Sequence, residues 1–271
     1  MAGMTQRYHH AENTPRDRRD LTGPFDVIGD VHGCRAELET LLGELGYRID
    51  RDERGRAISA THPDERIAVF VGDLVDRGPD TPGVLRLVMS MSAAGTALCV
   101  TGNHESKLVR ALDGRNVRIA HGLAQSLDQL AADDDIEFRS AAHAFLRALP
   151  SQLILDRGRL VVAHAGLPEE FHGSASSRAR AFALYGAPTG EIDRHGLPVR
   201  YDWAQDYRGR ATVVYGHTPV TELRWVNNTL CLDTGVVFGG ALSALRYREL
   251  TTVSVPAEQV WSERAGITPA R

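Results

Sequence analysis

The chain of 271 residues is 42% hydrophobic and 24% charged, with a formal net charge of −4. This composition is typical of a globular protein, it excludes fibrous and wholly disordered classes, and the charge provides no global field that would attract nucleic acid. Of the 31 basic residues only Lys107 is a lysine. The chain therefore has no G-x-x-x-x-G-K-[ST] phosphate loop, which excludes kinase and ligase modules.

The two ends of the chain are predicted to be tails, 1–22 at the N-terminus and 258–271 at the C-terminus, around one domain at 23–257. The first segment is polar and aperiodic, and it lacks the apolar core of a secretory signal. No apolar run approaches the roughly 20 residues that span a bilayer. Three scattered cysteines exclude a disulfide framework. We expect a cytoplasmic protein with no membrane association and no fused kinase or ligase module.

Short apolar runs alternate with helical patterns along the domain. Runs of four or five residues rich in Val, Ile and Leu are typical of buried strands, and apolar spacing of three or four residues predicts helices between them. This order favours an α/β fold. The segment 173–210 is rich in Gly, Pro and Arg and is predicted to be an irregular insertion, whereas 228–257 alternates like antiparallel strands. The five strands are FDVI, IAVFV, ALCV, LVVA and TVVY, and the helical patterns cover 34–45, 81–92, 126–134 and 137–149.

Each of the five predicted strands ends in Asp, Asn or His residues. A single one has a structural explanation, since Asp30 would cap a helix and His164 would be a core histidine. Five strand ends that carry groups costing several kcal/mol to bury unpaired favour a metal site instead. The donors are oxygen and nitrogen without thiolate, which favours Mn²⁺, Fe²⁺ or Zn²⁺, and they suffice for two ions about 3.5–4 Å apart. These residues are Asp30, His32, Asp73, Asp76, Arg77, Asn103, His104, His164 and His217.

Five ordered motifs resemble those of the phosphoprotein-phosphatase branch of the calcineurin-like metallophosphoesterases. They are GDVHG (29–33), GDLVDRG (72–78), GNHE (102–105), HAG (164–166) and GH (216–217). The resemblance covers most of the chain. It implies a four-layer αββα sandwich with a dimetal site at the carboxyl ends of the strands.

The resemblance also implies that Asp73 bridges two divalent metal ions. Mn²⁺ is the expected metal, with Fe or Zn as alternatives and Ni or Co as substitutes. A water between two such ions has its pKa lowered toward neutrality, so hydroxide forms without a side-chain base. The other implied ligands are Asp30 and His32 for one metal, and Asn103, His164 and His217 for the second.

Three residues beside the implied ligands receive catalytic roles from the same resemblance. His104 would be the general acid or a phosphate-binding imidazole, and Asp76 would orient it. Arg77 would hold the phosphate through two parallel N–H donors.

Longer segments are similar to the central phosphatase module of bacterial polynucleotide kinase-phosphatases of RNA repair. They include FDVIGDVHGCRAELETLL, TGNHESKLVRAL and CLDTGVVFGGALSALRYRELTTVSVPA. In that module an aspartate after GHTP contributes to the active site, and Asp233 matches it. Asp233 is alternatively a turn residue before Thr234.

We therefore expect a dimetal-dependent phosphoesterase that uses metal-activated hydroxide on nucleotide or polynucleotide phosphate ends of RNA or DNA, as a 3′-phosphate or 2′,3′-cyclic phosphate. A symmetrical-type bis(5′-nucleosyl)-tetraphosphatase and a serine/threonine protein phosphatase are alternatives with the same motifs. A metal-binding adaptor without activity is the alternative from another class, and the full set of ligands disfavours it.

Aromatic residues and arginines alternate in the predicted insertion, at 200–203 and again at 207–208. This pattern suits stacking on a base beside a phosphate site. The alternative interpretation is that Tyr201 and Trp203 are core residues.

Overall fold

The computed structural model describes residues 17–192 and 198–263, so most of the predicted N-terminal tail and the end of the C-terminal tail lie outside the described residues. The helices are α1 (Arg35–Leu45), α2 (Thr81–Ala94), α3 (Asn103–Leu112), α4 (Leu123–Ala132), α5 (Ile136–Ala148), α6 (Ser177–Tyr185) and α7 (Trp203–Asp206). Within these described ranges, no helix has the length and apolar character needed to cross a bilayer.

Fourteen strands are found in the same part of the chain. They are β1 (Phe25–Ile28), β2 (Arg48–Arg51), β3 (Ala57–Thr61), β4 (Ile67–Phe70), β5 (Ala97–Cys99), β6 (Gln152–Leu155), β7 (Leu160–Ala163), β8 (Pro188–Ile192), β9 (Pro198–Arg200), β10 (Thr212–Tyr215), β11 (Trp225–Val226), β12 (Thr229–Cys231), β13 (Ala241–Tyr247) and β14 (Thr251–Pro256). The five predicted strands are confirmed as β1, β4, β5, β7 and β10.

Ten of these strands form two five-stranded sheets, with the orders β14-β13-β1-β4-β5 and β11-β12-β10-β7-β6. In the first sheet β1, β4 and β5 are parallel. In the second sheet β7, β10 and β12 are parallel. Antiparallel strands complete the first sheet at one edge and the second sheet at both edges. Because parallel strands end on the same side, the polar residues that follow them meet at one edge of each sheet.

The alternation of side chains along the strands separates three layers of core. Val162 of β7 lies in the cluster between the two sheets, whereas its neighbour Val161 lies in the cluster that packs against α6 and α7. Val69 of β4 likewise lies between the sheets, and Phe70 packs with the residues of α1 and α2. The layers follow the order helix, sheet, sheet, helix, which confirms the predicted αββα sandwich.

The predicted irregular insertion at 173–210 is more regular than expected. It contains α6, the antiparallel hairpin β8–β9, of which residues 193–197 are not described, and α7. The Ser176 side chain accepts a hydrogen bond from the N–H of Ala179 and caps α6, and Ala179 and Ala183 form its buried face. Small alanine side chains give a weak periodic signal, so composition alone suggested a loop.

The final block, 228–257, differs from its prediction in one strand. β13 and β14 are antiparallel, as predicted. The segment Thr229–Cys231 instead forms β12, which pairs parallel with β10, so the antiparallel prediction is wrong there. The hairpin β2–β3 and helix α3 were not predicted.

Both predicted tails make contacts with the domain in their described parts. The N–H of Arg18 donates to the carbonyl of Ile154. Near the other end, the indole N–H of Trp261 donates to Glu37. The domain boundaries at 22/23 and 257/258 remain a prediction.

We predict that Asp156 stabilises the fold only while it is ionised. Its buried carboxylate accepts hydrogen bonds from Arg159, Tyr247 and Arg248 at 2.7–3.0 Å. Burial alone would raise its pKa, but these donors together hold the pKa of Asp156 below its usual value. Its stabilising contribution is therefore complete above about pH 4 and is lost as the pH falls through the lowered pKa.

Asp156→Asn should lower the free energy of unfolding by about 1–3 kcal/mol at pH 7, because it removes charge-assisted hydrogen bonds at a buried site. Urea unfolding at pH 7 and pH 3 measures this, and the difference from wild type should shrink at pH 3. The exposed Asp20→Asn is the control and should have a much smaller effect. A difference that does not change with pH would contradict the role of the charge.

Candidate active site

The predicted site residues lie at the edge where the parallel strands of both sheets end. Asp30 follows β1 of the first sheet, and its Oδ2 accepts a hydrogen bond of 2.9 Å from the backbone N–H of His217, which follows β10 of the second sheet. This bond joins the two sheets at the site. Direct contacts or charge interactions bring together all ten predicted residues: Asp30, His32, Asp73, Asp76, Arg77, Asn103, His104, His164, His217 and Asp233.

Asp73 lies at the centre of this cluster. Its Oδ2 is 3.3 Å from Nε2 of His164, 3.6 Å from Nε2 of His32 and 3.9 Å from Nε2 of His104. Burial alone would raise its pKa, but His164 and then His104 hold the pKa of Asp73 well below its usual value. An ionised carboxylate surrounded by imidazoles has the chemistry of a bridging ligand.

Two groups of ligand-type atoms share Asp73. One adds His32 and His104, the other adds His164 and His217, and within each group the atoms lie within 4.8 Å of one another. Asn103 Oδ1 is a further oxygen beside the second group, 2.9 Å from Nε2 of His164. The donor set is therefore imidazole, carboxylate and amide oxygen, which suits borderline divalent ions.

Backbone carbonyls fix the orientation of two of the imidazoles. In the tautomer these contacts favour, Nδ1 of His32 donates to the carbonyl of Val75 at 2.8 Å, and Nδ1 of His164 donates to that of Val71 at 3.1 Å. Each bond leaves Nε2 on the side of the ring that faces Asp73. Such support of the distal nitrogen is typical of metal-ligating histidines.

Three buried polar atoms in the cluster lack a hydrogen-bond partner among the described residues. One is Oδ1 of Asp76, and the other two, Oδ1 of Asp30 and Nε2 of His217, lie where the loops after β1 and β10 meet. An unsatisfied buried acceptor costs about 1–3 kcal/mol. Burial and the charge of Asp233 also raise the pKa of Asp30 well above its usual value. Cations at this position would satisfy the atoms of Asp30 and His217 and neutralise the acids, so the residues fit a dimetal site.

The loops that carry these residues have a strained backbone. His32, Asp73, Asp76, Arg77 and His217 have φ between 47° and 74°, a region that non-glycine residues rarely adopt. Such conformations persist only where surrounding contacts impose them, and they are concentrated at functional sites.

Backbone contacts between the first two motifs hold two of these loops together. The N–H of His32 donates to the carbonyl of Asp73 at 2.8 Å, and the next N–H donates to Leu74. A Cβ at Gly78 would overlap the carbonyl oxygen of His32. This close approach explains the glycine that ends GDLVDRG.

Glu105 is a buried residue to which the sequence assigned no role. Its carboxylate accepts hydrogen bonds from the backbone N–H groups of Gly102 (2.7 Å), Asp73 (2.8 Å), Leu74 (2.7 Å) and Val75 (3.2 Å). It therefore ties the GNHE loop to the loop that carries Asp73. A glutamate three residues after Gly102 at the start of α3 matches a capping-box position, which is the signal that could have identified it.

His104 and Asp76 form a buried pair beside Asp73. Nδ1 of His104 lies 2.6 Å from Oδ2 of Asp76, and the ring of His104 packs edge-on against that of His32 at 4.8 Å. With Nδ1 directed to Asp76, Nε2 faces the cluster. This contact lets Asp76 orient His104, and the catalytic roles of both residues remain predictions.

Cationic side chains flank the cluster on two sides. Arg77 lies 2.6 Å from Nε2 of His32 and over the ring of Phe238, and its charge acts on Lys107. The pKa of His217 is lowered first by burial and then by the charges of His164 and Arg200. Arg200 therefore lies within electrostatic range of the cluster near His217. Lys107 and Arg200 had no predicted role in metal or acid chemistry.

Asp233 is both a turn residue and a member of the cluster. Its Oδ1 accepts a hydrogen bond from the N–H of Gly235 at 3.0 Å, as the turn interpretation requires. It is also buried, and burial raises its pKa to about 6, with a contribution from the charge of Asp73. The turn thus presents this carboxylate to the site, and its catalytic role remains a prediction.

Comparison with known proteins gives consistent results. The family model described as calcineurin-like phosphoesterase matches residues 23–249. A bis(5′-nucleosyl)-tetraphosphatase PrpE [asymmetrical] from Geobacillus thermodenitrificans is 46% identical over 236 residues, which cover 86% of this chain and 94% of the relative. The protein of the same name from Anoxybacillus flavithermus is 45% identical over the same shares.

Solved structures agree at the level of the fold. A putative diadenosine tetraphosphatase has a TM-score of 0.61 and 28% identity, and the match covers 89% of this chain and 96% of that one. A serine/threonine phosphatase from Saccharomyces cerevisiae has a TM-score of 0.59 at 15% identity, over 93% of this chain and 85% of that one. The second likeness concerns the fold alone.

We predict that Asp73→Asn loses both metal ions, because the shared carboxylate belongs to both ligand groups. Asp30→Asn should lose mainly one. Elemental analysis of the purified variants after loading with Mn²⁺ measures this directly. Asp64→Asn, an exposed carboxylate outside the site, is the control and should bind metal as wild type does. Full metal content in Asp73→Asn would refute the bridging position.

Proposed function

The chain belongs to the calcineurin-like phosphoesterase family, and we propose that it is a dimetal bis(5′-nucleosyl)-tetraphosphatase that cleaves its substrate asymmetrically. Such cleavage gives one nucleoside monophosphate and one nucleoside triphosphate. The observation that carries the proposal is the buried cluster around Asp73, in a chain 45–46% identical to relatives named for this activity. The cluster supports phosphoester hydrolysis, and the relatives support a dinucleotide substrate.

The substrate proposed here differs from the leading expectation of the sequence. A nucleic-acid end was expected from segments similar to the phosphatase module of RNA repair enzymes. The names of the relatives favour the dinucleotide alternative instead, with asymmetrical rather than symmetrical cleavage. The protein phosphatase alternative is supported by a likeness of fold at 15% identity, and a likeness at that level gives no information about the substrate.

In our proposal the metal ions are two Mn²⁺ ions, for which the imidazole-rich second group provides suitable donors. When bound, such a pair polarises a phosphate and lowers the pKa of a water molecule. Asp73 would hold both ions. The other proposed ligands are Asp30 and His32 at one position, and Asn103, His164 and His217 at the other.

The remaining residues would act on the substrate directly. Arg77 would bind two phosphate oxygens through parallel N–H groups, which is the geometry a guanidinium offers. His104 would carry a proton on Nε2 and donate it to the oxygen that leaves, while Asp76 holds Nδ1 at 2.6 Å. Asp233 would add negative charge beside Asp30.

Product analysis tests the proposed activity. With Mn²⁺, diadenosine tetraphosphate should give ATP and AMP in equal amounts by anion-exchange chromatography. A 3′-phosphate oligonucleotide, a 2′,3′-cyclic nucleotide and a phosphothreonine peptide should be hydrolysed with lower kcat/KM. Two molecules of ADP would contradict asymmetrical cleavage, and a higher kcat/KM for the oligonucleotide would restore the nucleic-acid end as the substrate.

We predict that His104→Ala slows hydrolysis of an alkyl phosphate by roughly 10²–10⁴-fold, the usual range for loss of a general acid. The loss should be smaller for 4-nitrophenyl phosphate, because nitrophenolate leaves without a proton. Asp76→Asn should show a weaker form of the same dependence, since Asp76 only orients the imidazole.

Metal content and the two rate losses separate the possible roles of His104. Nε2 of His104 lies 3.9 Å from Oδ2 of Asp73 and belongs to one of the two groups of ligand-type atoms. The metal content of the variant must therefore be measured alongside its kinetics. We expect unchanged metal content in His104→Ala. Equal losses on both substrates would indicate phosphate binding rather than proton donation, and loss of metal would make His104 a ligand.

A further inference from the structure

A cavity of about 890 Å³ lies beside the site, between the turn at 168–171, helix α6, the strand β8 and helix α7. Its volume is within the range of roughly 300–1,000 Å³ that small-molecule sites occupy. Its lining combines aromatic, cationic and acidic side chains. They include Phe182, Tyr201, Arg178, Arg208, Glu169 and Glu170.

The structure separates the aromatic residues of this segment into two groups. Trp203 and Tyr207 are 7% and 4% exposed and belong to the core cluster beneath the second sheet, so the core interpretation is correct for Trp203. Tyr201 is 50% exposed, and its hydroxyl donates to Asp206. A tyrosine ring held at the mouth of a cavity offers a face on which a base can stack.

The wall of the cavity adjoins the metal-binding cluster. Trp203 packs directly on Gly166, two residues after His164, where any Cβ would overlap its ring. The ring of Trp203 also lies 5.2 Å from that of Tyr215, two residues before His217. Both contacts place the cavity on the side of the cluster formed by the second sheet.

Arg200 lies against the wall of the cavity. Its Nε donates to the carbonyl of Tyr185 at 3.0 Å, and its Cδ lies close to Gly186 of the cavity wall. Its charge also acts on His217. Among the described residues it forms no ion pair with a carboxylate. The guanidinium is therefore available to a phosphate that joins the two sites.

The opposite side of the cluster has a different character. There the charges of Arg77 and Arg118 act on Lys107, which is also within range of Asp76, the residue that holds His104. A group of cations is better suited to binding a triphosphate than to binding a neutral base. A nucleoside whose own phosphate contains the reacting phosphorus must instead bind directly beside the cluster, where the aromatic cavity lies.

We propose that the cavity binds the nucleoside attached to the phosphate that is hydrolysed, with its base stacked on Tyr201 and its phosphate held by Arg200. This inference rests on the proposed function. Glu169 and Glu170 would accept hydrogen bonds from base amino or ribose hydroxyl groups. The nucleoside triphosphate leaves across the cationic side.

This arrangement fixes which bonds change. The oxygen of water bonds to the phosphorus nearest the bound nucleoside, and the bond from that phosphorus to the bridging oxygen breaks. The electron pair leaves with the triphosphate, whose oxygen receives the proton of His104. Water therefore supplies an oxygen to the monophosphate product and none to the triphosphate.

Inhibition of 4-nitrophenyl phosphate hydrolysis tests the cavity without using the dinucleotide. Wild type should bind AMP more tightly than inorganic phosphate. Tyr201→Ala should raise the ratio of the AMP inhibition constant to the phosphate inhibition constant by roughly 5- to 150-fold, the effect of losing one base stack. Tyr201→Phe should keep the wild-type ratio, because the ring remains.

Tyr185→Ala is the matched control, since Tyr185 is 45% exposed and does not line the cavity. It should leave the ratio unchanged. Equal ratios in Tyr201→Ala and Tyr185→Ala would overturn the nucleoside subsite. Circular dichroism of each variant checks that the fold is retained, and direct titration of AMP by calorimetry should reproduce the ranking of the variants.

Hydrolysis of diadenosine tetraphosphate in H₂¹⁸O tests the direction of attack. Mass spectrometry should find the label in AMP, and label in ATP would overturn the proposed placement. If wild type does not hydrolyse the dinucleotide but the AMP ratio still depends on Tyr201, the proposed substrate fails and the nucleoside subsite stands. If wild type hydrolyses the dinucleotide to AMP and ATP but the AMP ratio does not depend on Tyr201, the proposed substrate stands and the nucleoside subsite fails.

Discussion

One buried carboxylate, that of Asp73, sets the constraints on the rest of the site. A charge removed from water must be neutralised nearby, or the cost of its burial destabilises the fold. Three imidazole nitrogens within 3.3–3.9 Å of its Oδ2 provide part of that neutralisation. They come from segments that follow β1, β5 and β7, of which the first two strands belong to one sheet and the third to the other, so the charge is satisfied only when both sheets are packed together.

Glu105, another buried acid of this region, contributes by a different route. It has no imidazole partner at hydrogen-bond distance, and four backbone N–H groups hold its carboxylate instead. These bonds impose the unusual backbone on which Asp73 depends, whose φ is 48°. Strain in the loop is thus offset by four hydrogen bonds to this one carboxylate.

The sequence predicted those features that depend on one strand and its end. The run LVVA is apolar on both faces and FDVI is apolar on one, so burial of both strands follows from the residues. The free-energy cost of placing Asp30 and His164 at their ends follows as well. Sequence did not predict features that depend on a partner distant in the chain. β12 is parallel because it pairs with β10, and Glu105 matters because Asp73, 32 residues earlier, presents its N–H group.

The segment at 200–207 shows why residue type alone could not separate binding from packing. Tyr201 and Trp203 are two residues apart and equally suited to stacking, yet one lies half exposed at a cavity and the other lies in the core. The difference arises from Gly166, which leaves room for the indole of Trp203 beneath the loop that carries His164. A core residue thus positions the cavity against the metal-binding cluster. In our proposal the aromatic cavity and the cations make the two sides of the cluster unlike, and this difference is the physical reason why a symmetrical dinucleotide would be cleaved asymmetrically.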